Sequence, residues 1–157
     1  MKPRPIMKQC MISLSCLFLL SALLGCGSSE PIVGKIDKTR WKLQAISGAY
    51  LAATAKAGQV PQKPEDLFDF FGEESTSEEK SREKFRSDND GEEFVIIWGV
   101  DLRKTGTSDL PRDAIFAYEK RGKGGQRYVL KPPADVLIVP EDVFQKSQFP
   151  NGHKPGS

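Results

Sequence analysis

The stretch from Lys38 to Ala57, KTRWKLQAISGAYLAATAKA, decides the fold of this chain. One set of its apolar residues recurs at spacings of three and four, which predicts an amphipathic helix: Leu43, Ile46, Tyr50, Ala53 and Ala57. A second set is expected to widen the buried stripe: Trp41, Ala45, Ala49 and Ala52. Such a helix can pack on a sheet or lie on a membrane surface. Its polar face is not rich in lysine or arginine, so we expect packing on a sheet.

Both ends of this helix carry sequence signals. Asp37 suits the N-cap position, and Gly58 suits the position after the last helical residue. Pro61 prevents the helix from continuing. A second, short helix is predicted over residues 64–71, because a proline opens it and Gly72 closes it. Its phenylalanines are expected in the core.

The carboxyl-terminal half alternates apolar runs with turn signals, which predicts β-strands. Residues 94–100 are apolar on both faces, so we expect them to form a central strand. Residues 115–120 and 126–131 flank the glycine-rich stretch 121–125, which is typical of a hairpin. Two prolines end the second of these strands.

The last strand is predicted at residues 136–139, followed by a short helix that opens at Pro140 and extends through Phe144. The order of elements predicts an α+β fold: one long N-terminal helix packed on a three- to four-stranded antiparallel sheet. The stretch 122–125 lacks the spacing of a phosphate-binding loop and no helix follows it, so we interpret it as a turn.

Residues 75–93 differ in composition from the rest. Eleven of these nineteen residues are charged, and Phe85 is the only large apolar one. A segment of this kind buries little apolar surface. We therefore expect a mobile surface loop, with one helical turn near residues 78–86.

The amino-terminal region has the layout of an export signal. An apolar run of about 14 residues, too short to span a bilayer, follows a basic start and ends in small residues. The basic residues are Lys2, Arg4 and Lys8. The run ends in the tetrapeptide Leu23, Leu24, Gly25 and Cys26.

These residues resemble the lipobox of bacterial lipoprotein precursors, and the resemblance covers residues 1–27. It implies that the Cys26 thiol receives diacylglycerol, that a lipoprotein signal peptidase cuts before Cys26, and that an N-acyl chain such as palmitate follows. Two or three acyl chains hold a protein durably at a membrane. Leu23, Leu24 and Gly25 would be the peptidase recognition residues.

The resemblance implies a domain layout and a location. Residues 1–25 would be the signal peptide and 26–35 the lipidated cysteine and tether. Residues 36–148 would form one α+β domain, and 149–157 a flexible tail. The location would be extracytoplasmic, in the cell envelope, and Gly27 slightly favours the outer over the inner membrane.

The composition of the predicted mature chain excludes several classes of function. Removing three of the 23 basic residues leaves 20 against 21 acidic ones, so electrostatics do not favour nucleic acid as a partner. Cys26 would be the only cysteine left and would be acylated, which excludes a disulfide and a thiol nucleophile. His153 is the only histidine, so neither a catalytic triad nor a two-histidine zinc site is expected, and no cofactor is predicted beyond the covalent lipid.

Acidic and aromatic residues supply the remaining candidate sites. A loose calcium site could use Asp88, Asp90 and Glu92, although the spacing excludes an EF-hand. A catalytic carboxylate pair could come from Asp101, Asp113 and Glu119, whose spacing does not distinguish them from surface charges. A stacking surface for a ligand could come from Trp98, Tyr118 and Tyr128, which are more simply interpreted as aromatics that pack the sheet.

The order of elements also resembles the soluble domains of type II secretion pseudopilins. The shared features are a long alanine-rich helix that ends in Gly58-Gln-Val-Pro61, a polar gap, Leu67, and later strands with a glycine-rich hairpin. This chain differs in losing its apolar segment before Cys26, so it could not polymerise through that segment. The calcium ligands of that family do not map onto this chain.

The sequence thus predicts a membrane-anchored lipoprotein of the cell envelope, not an enzyme, with a structural or protein-interaction role and an envelope protein as partner. Exposed strand edges or residues 75–93 would supply the contact surface. One alternative is an extracytoplasmic binding module for a small ligand or saccharide. A second is a hydrolase that uses carboxylates.

Overall fold

The computed structural model describes residues 37–72 and 77–156. Its helices are α1 (Lys38–Ala57), α2 (Glu78–Glu83) and α3 (Glu141–Phe144), with short 3-10 helices at Pro64–Phe70, Leu102–Lys104 and Pro150–Gly152. Its strands are β1 (Val95–Ile96), β2 (Ala117–Tyr118), β3 (Gln126–Lys131) and β4 (Asp135–Pro140). The protein is α+β, with α1 packed against a four-stranded antiparallel sheet.

Helix α1 has the predicted bounds and caps. The Asp37 side chain accepts a hydrogen bond from the backbone of Arg40 at 3.0 Å. Gly58 adopts the left-handed conformation with φ of 70°, and its N–H donates to the carbonyl of Thr54. A side chain is disfavoured at that φ, so the glycine is what allows the helix to end here.

The buried stripe of α1 is narrower than predicted. Leu43, Ile46, Tyr50, Ala49 and Ala53 are buried as expected. By contrast, the Trp41 side chain is 47% exposed, and Ala52 and Ala57 are exposed. Trp41 precedes Leu43 by two residues, which places the two side chains about 200° apart around the helix axis.

The sheet is a meander with the strand order β1-β2-β3-β4. Leu130 of β3 and Val136 of β4 are paired and belong to the main core beneath α1. On the opposite face, Val129 and Tyr118 form a second buried cluster with Phe144 of α3. The sheet is therefore covered by α1 on one face and by α3 on the other.

The expectation that residues 94–100 form a central strand is wrong. Within this stretch only β1 forms a strand. It pairs with β2 and with no other strand, so it lies at the edge of the sheet. The backbone after β1 forms its hydrogen bonds outside the sheet. The Gly99 N–H donates to the carbonyl of Pro61 at 3.0 Å, and the Val100 N–H donates to the Tyr50 hydroxyl at 3.1 Å. Contacts with Tyr50 of α1 and with Pro61 in the loop after α1 thus take the donors that a longer strand would have used.

The later elements match the prediction more closely. The β2–β3 hairpin forms over the glycine-rich stretch, where Lys123 and Gln126 make a β-bridge. Paired residues run along β3 and β4 from Gln126 opposite Pro140 to Lys131 opposite Asp135. The turn interpretation of residues 122–125 is confirmed.

Residues 77–93 are more structured than a surface loop. The predicted helical turn is α2, Phe85 is 5% exposed within the main core, and Arg86 makes a β-bridge with Glu93. Phe85 packs edge-on against Phe71, with ring centroids 5.4 Å apart. Burial of Phe85 therefore helps to hold residues 77–93 in a fixed conformation, although their composition alone predicts a loop.

Part of the predicted flexible tail, residues 149–157, packs on the domain. Phe149 packs against Phe144 with ring centroids 5.4 Å apart, and Pro150 is buried. The His153 ring nitrogen Nε2 lies 2.9 Å from the Tyr118 hydroxyl. These aromatic contacts cover the α3 face of the sheet, so the packed region extends past residue 148.

Candidate functional site

Glu119 directly follows β2 and has no exposed surface. One carboxylate oxygen accepts a hydrogen bond from the Ser87 hydroxyl. The other accepts from the Asn89 side-chain amide at 3.1 Å and from the Tyr128 backbone N–H at 2.9 Å. We call this set the Glu119 clamp: Ser87, Asn89, Glu119 and the Tyr128 N–H.

Ser87 extends the clamp toward α1. Its hydroxyl oxygen accepts from the backbone N–H groups of Asn89 at 3.0 Å and Asp90 at 3.4 Å. It also lies 3.4 Å from the Thr39 hydroxyl on the first turn of α1. The clamp therefore joins three parts of the chain that are distant in sequence.

The three candidate calcium ligands each have other partners. Asp88 forms an ion pair with Lys42 at 2.9 Å. Asp90 accepts from the backbone N–H groups of Arg121 at 3.0 Å and Gly122 at 2.9 Å. These acidic groups face cations and amides on α1 and on the hairpin, where they hold residues 87–92 in place.

Glu92, the third candidate, pairs with the Arg121 guanidinium and lies 4.0 Å from the Lys120 ammonium. Across residues 37–72 and 77–156, no three His, Cys, Asp or Glu side chains converge in a way that could hold a metal ion. The structure does not bring the three candidates together as one ligand set.

The three candidate catalytic carboxylates lie in different settings. Asp101 accepts hydrogen bonds from Arg103, which lower the pKa of the Asp101 carboxyl. Asp113 is exposed, whereas Glu119 is enclosed in its clamp. Asp101 and Glu119 have different hydrogen-bonding partners, so these two carboxylates show no pairing for acid–base chemistry.

The three candidate stacking aromatics pack within the fold. Trp98 stacks on Tyr50 with ring centroids 6.1 Å apart. Tyr118 is buried against Phe144, and burial raises the pKa of its hydroxyl. They are sheet-packing residues, as the simpler interpretation expected.

Tyr128 holds the start of α1 to the sheet. Its hydroxyl donates a hydrogen bond of 2.7 Å to the Asp37 carboxylate, which also caps the helix. Burial, followed by the contact with Asp37, raises the pKa of Tyr128 to about 12. A neutral tyrosine donor is therefore retained throughout the physiological range.

An open groove of about 560 Å³ lies beside α2. Four acidic and two basic side chains line it: Glu78, Glu79, Arg82, Glu83, Arg86 and Glu93. Arg82 is engaged by Glu65 at 2.7 Å and by Glu78 at 3.0 Å. The groove is thus acidic on balance and belongs to the segment expected to supply a contact surface.

Sequence reasoning missed Arg127 and the partners of Glu119. The Arg127 guanidinium lies over the Phe144 ring at 4.0 Å, pairs with Glu141, and donates to the Glu119 carbonyl at 3.1 Å. Alternation along β3 could have marked Arg127 as lying on the α3 face. The link from Glu119 to Ser87 and Asn89 spans about thirty residues, and no spacing rule would have found it.

The lipobox residues Leu23, Leu24, Gly25 and Cys26 lie outside the described residues. Within the described residues, no helix combines the length and apolar character needed to cross a bilayer.

Comparison with protein-family models, with curated proteins and with solved structures found no match for this chain. The likeness to lipoprotein precursors therefore stays a prediction carried by residues 1–27. The likeness to pseudopilin domains stays a prediction carried by the order of elements.

Proposed function

We propose that this protein is a bacterial lipoprotein, held at the membrane of the cell envelope by acyl chains on Cys26. Its extracytoplasmic domain would have a structural or protein-binding role rather than an enzymatic one. The observation that carries the proposal is the tetrapeptide Leu23-Leu24-Gly25-Cys26 at the end of a short apolar run behind a basic start. Thiol acylation requires a cysteine at the end of such a signal, and cleavage requires a small residue before it.

The arrangement of polar side chains supports a non-enzymatic role. A catalytic carboxylate needs access to a substrate and a pKa suited to proton transfer. Glu119 is enclosed, and Asp90 and Glu92 hold the hairpin. These three acidic residues thus serve as connections within the fold.

The α2 groove is the surface that we propose for a protein partner. It is open, its acidic side chains outnumber its basic ones, and Glu79 and Glu93 are exposed. A partner with a basic patch would be steered toward it. The alternative, a binding module for a small ligand or saccharide, has less support because Trp98 and Tyr118 already pack against protein aromatics.

The test of the anchor is a Cys26→Ser variant in cells fed an alkyne analogue of palmitate. We expect wild-type protein to carry the label, to lose its signal peptide and to fractionate with membranes. The variant should remain unlabelled and keep its signal peptide. Labelling or normal cleavage of the variant would reject the lipoprotein assignment.

The test of the groove must preserve the fold. Deleting residues 75–93 would remove Phe85 and Ser87 and so open the core. We would instead crosslink the partner in intact cells and compare Glu79→Lys with Glu93→Lys, using Asp109→Lys and Asp142→Lys as exposed controls. Loss of one crosslinked band in the groove variants alone is expected, and equal effects in the controls would reject this surface.

A further inference from the structure

The start of α1 combines an exposed tryptophan with basic side chains. Trp41 is 47% exposed, although large aromatic side chains are usually buried. The Lys84 ammonium lies 4.4 Å from the centre of its ring, and Lys38, one turn earlier, is exposed. An apolar body with adjacent positive charge is the pattern of side chains that lie at a membrane–water interface.

A second exposed apolar side chain lies near the same point. Ile138 is 47% exposed and pairs across the sheet with Tyr128, whose hydroxyl binds Asp37. Two of the four large apolar side chains exposed in the described residues are thus Trp41, on the first turn of α1, and Ile138, on the strand β4 that this turn contacts through the hydrogen bond from Arg40 to the Val136 carbonyl.

The length of chain before α1 determines what faces this end. Ten residues separate Cys26 from Asp37, and ten residues extend at most about 35 Å. A domain of this size has a diameter of roughly 35 Å. A lipid anchor on Cys26 would thus keep the domain within about one domain diameter of the bilayer. Trp41 lies only four residues after Asp37, the residue at which the tether would meet the domain.

We propose that the domain docks on the lipid surface through the start of α1, with Trp41 in the headgroup region and Lys38 near lipid phosphates. This inference rests on the proposed lipid anchor. It adds an orientation: the α1 start faces the bilayer, while the carboxyl end of α1 and the loop that follows it point away. Anionic headgroups are the occupant that the adjacent lysines favour.

The second tryptophan of the chain provides a matched control. Trp98 packs against Tyr50, which lies nine residues, or about 13.5 Å, further along α1 than Trp41 at 1.5 Å per residue. Purified lipidated protein would be reconstituted into vesicles of phosphatidylethanolamine and phosphatidylglycerol, with or without a nitroxide-labelled phospholipid. Trp98→Phe leaves Trp41 as the reporter, and Trp41→Phe leaves Trp98.

We expect the nitroxide lipid to reduce Trp41 emission about twofold and to leave Trp98 emission nearly unchanged, since an interfacial side chain lies within about 5–10 Å of the acyl boundary. If Trp98→Phe fails to fold, the quenching of Trp41 can still be obtained by subtracting the emission of Trp41→Phe from that of the wild type. Vesicle-bound protein with unquenched Trp41 would overturn the docking while leaving the anchor intact. Protein that fails to float with vesicles would overturn the anchor and the docking together.

A charge variant provides a second readout. Lys38→Glu should lessen Trp41 quenching without weakening the helix, because an acidic residue is favourable in the first turn. Lys104→Glu, an exposed change outside α1, should leave quenching unaltered. Equal Trp41 quenching in Lys38→Glu and Lys104→Glu would show that the basic side chains at the start of α1 do not contact the lipid surface.

Discussion

Asn89 donates a side-chain hydrogen bond of 3.1 Å to Glu119, a carboxylate with no exposed surface. An enclosed carboxylate is costly unless donors surround it. Here three donors from two segments do so, and they tie residues 87–89 to the sheet. The clamp explains how a stretch rich in charge acquires a fixed conformation.

Removing the clamp carboxylate should destabilise the protein strongly. Glu119→Ala leaves the three donors without their acceptor in a buried site, and we expect a loss of about 3 kcal/mol or more in unfolding free energy. Glu119→Gln keeps one oxygen for Asn89 and the Tyr128 N–H, so we expect a loss of only about 1 kcal/mol. Urea denaturation measures both, and equal losses would contradict this account, because they would show that the oxygen kept by glutamine does not hold the donors.

The same substitution should free residues 87–92 locally. Hydrogen exchange of the backbone amides of Asn89 and Asp90 should accelerate in Glu119→Ala more than that of the amides in α1. Uniform acceleration across the chain would indicate a global effect instead of release of this segment.

Tyr50 should make the protein sensitive to alkali. Burial raises the pKa of Tyr50 to about 12, against an ordinary value near 10. The unfolded chain then loses the tyrosine proton first, so stability is unaffected below about pH 10 and falls as the pH rises toward 12. Because Tyr50 is fully buried, its share of the loss should reach about 2 kcal/mol.

Tyr50→Phe provides the check on that assignment. It should flatten the fall in stability between about pH 10 and 12 more than Tyr128→Phe does, since Tyr128 is only partly buried. At neutral pH it should cost about 1–2 kcal/mol, because the Val100 N–H loses its acceptor. A variant with the same alkaline profile as wild type would contradict the role of Tyr50.

The sequence was sufficient to place α1 because its spacing, N-cap and final glycine are local signals. It was not sufficient to place residues 94–100, since their apolar character is equally compatible with a central strand and with an edge strand followed by a turn. That turn depends on Tyr50 and Pro61, whose contacts with Gly99 and Val100 are tertiary. Local sequence patterns therefore predicted the positions of helices and strands along the chain better than the position of each strand in the sheet.

The same distinction applies to the candidate site. Glu119 could be named from the sequence as a carboxylate at a strand end, but not as a buried acceptor. Its donors lie about thirty residues earlier, in a segment that composition describes as surface. Trp41 shows the converse, because it was expected in the buried stripe and is exposed. Its position two residues from Leu43 places it on the opposite side of the helix, a local signal that its apolar character outweighed in the prediction.

Arg127 should be difficult to replace even by lysine. Its guanidinium is nearly buried, lies over Phe144 and donates to Glu141 and to the carbonyls of Glu119 and Lys120. Lysine cannot reproduce the planar set of donors, so Arg127→Lys should cost about 2 kcal/mol. Arg121→Lys, at an exposed pair with Glu92, should cost under about 0.5 kcal/mol, and equal thermal shifts in the two variants would contradict this account.

Two glycines of the hairpin separate backbone strain from steric clash. Gly122 and Gly124 both have positive φ, at 68° and 63°, so alanine should cost about 1–2 kcal/mol at either position through backbone strain alone. At Gly124 an added Cβ meets nothing within 4 Å, whereas at Gly122 it would lie 2.7 Å from the Arg127 Cβ and closer still to the Gln126 carbonyl oxygen. Gly122→Ala should therefore be worse than Gly124→Ala by a further ~2 kcal/mol in urea denaturation, because the backbone must move and the Gly122 N–H then leaves Asp90. Similar losses in the two variants would mean that the hairpin relaxes freely, and that Asp90 does not hold it in one conformation.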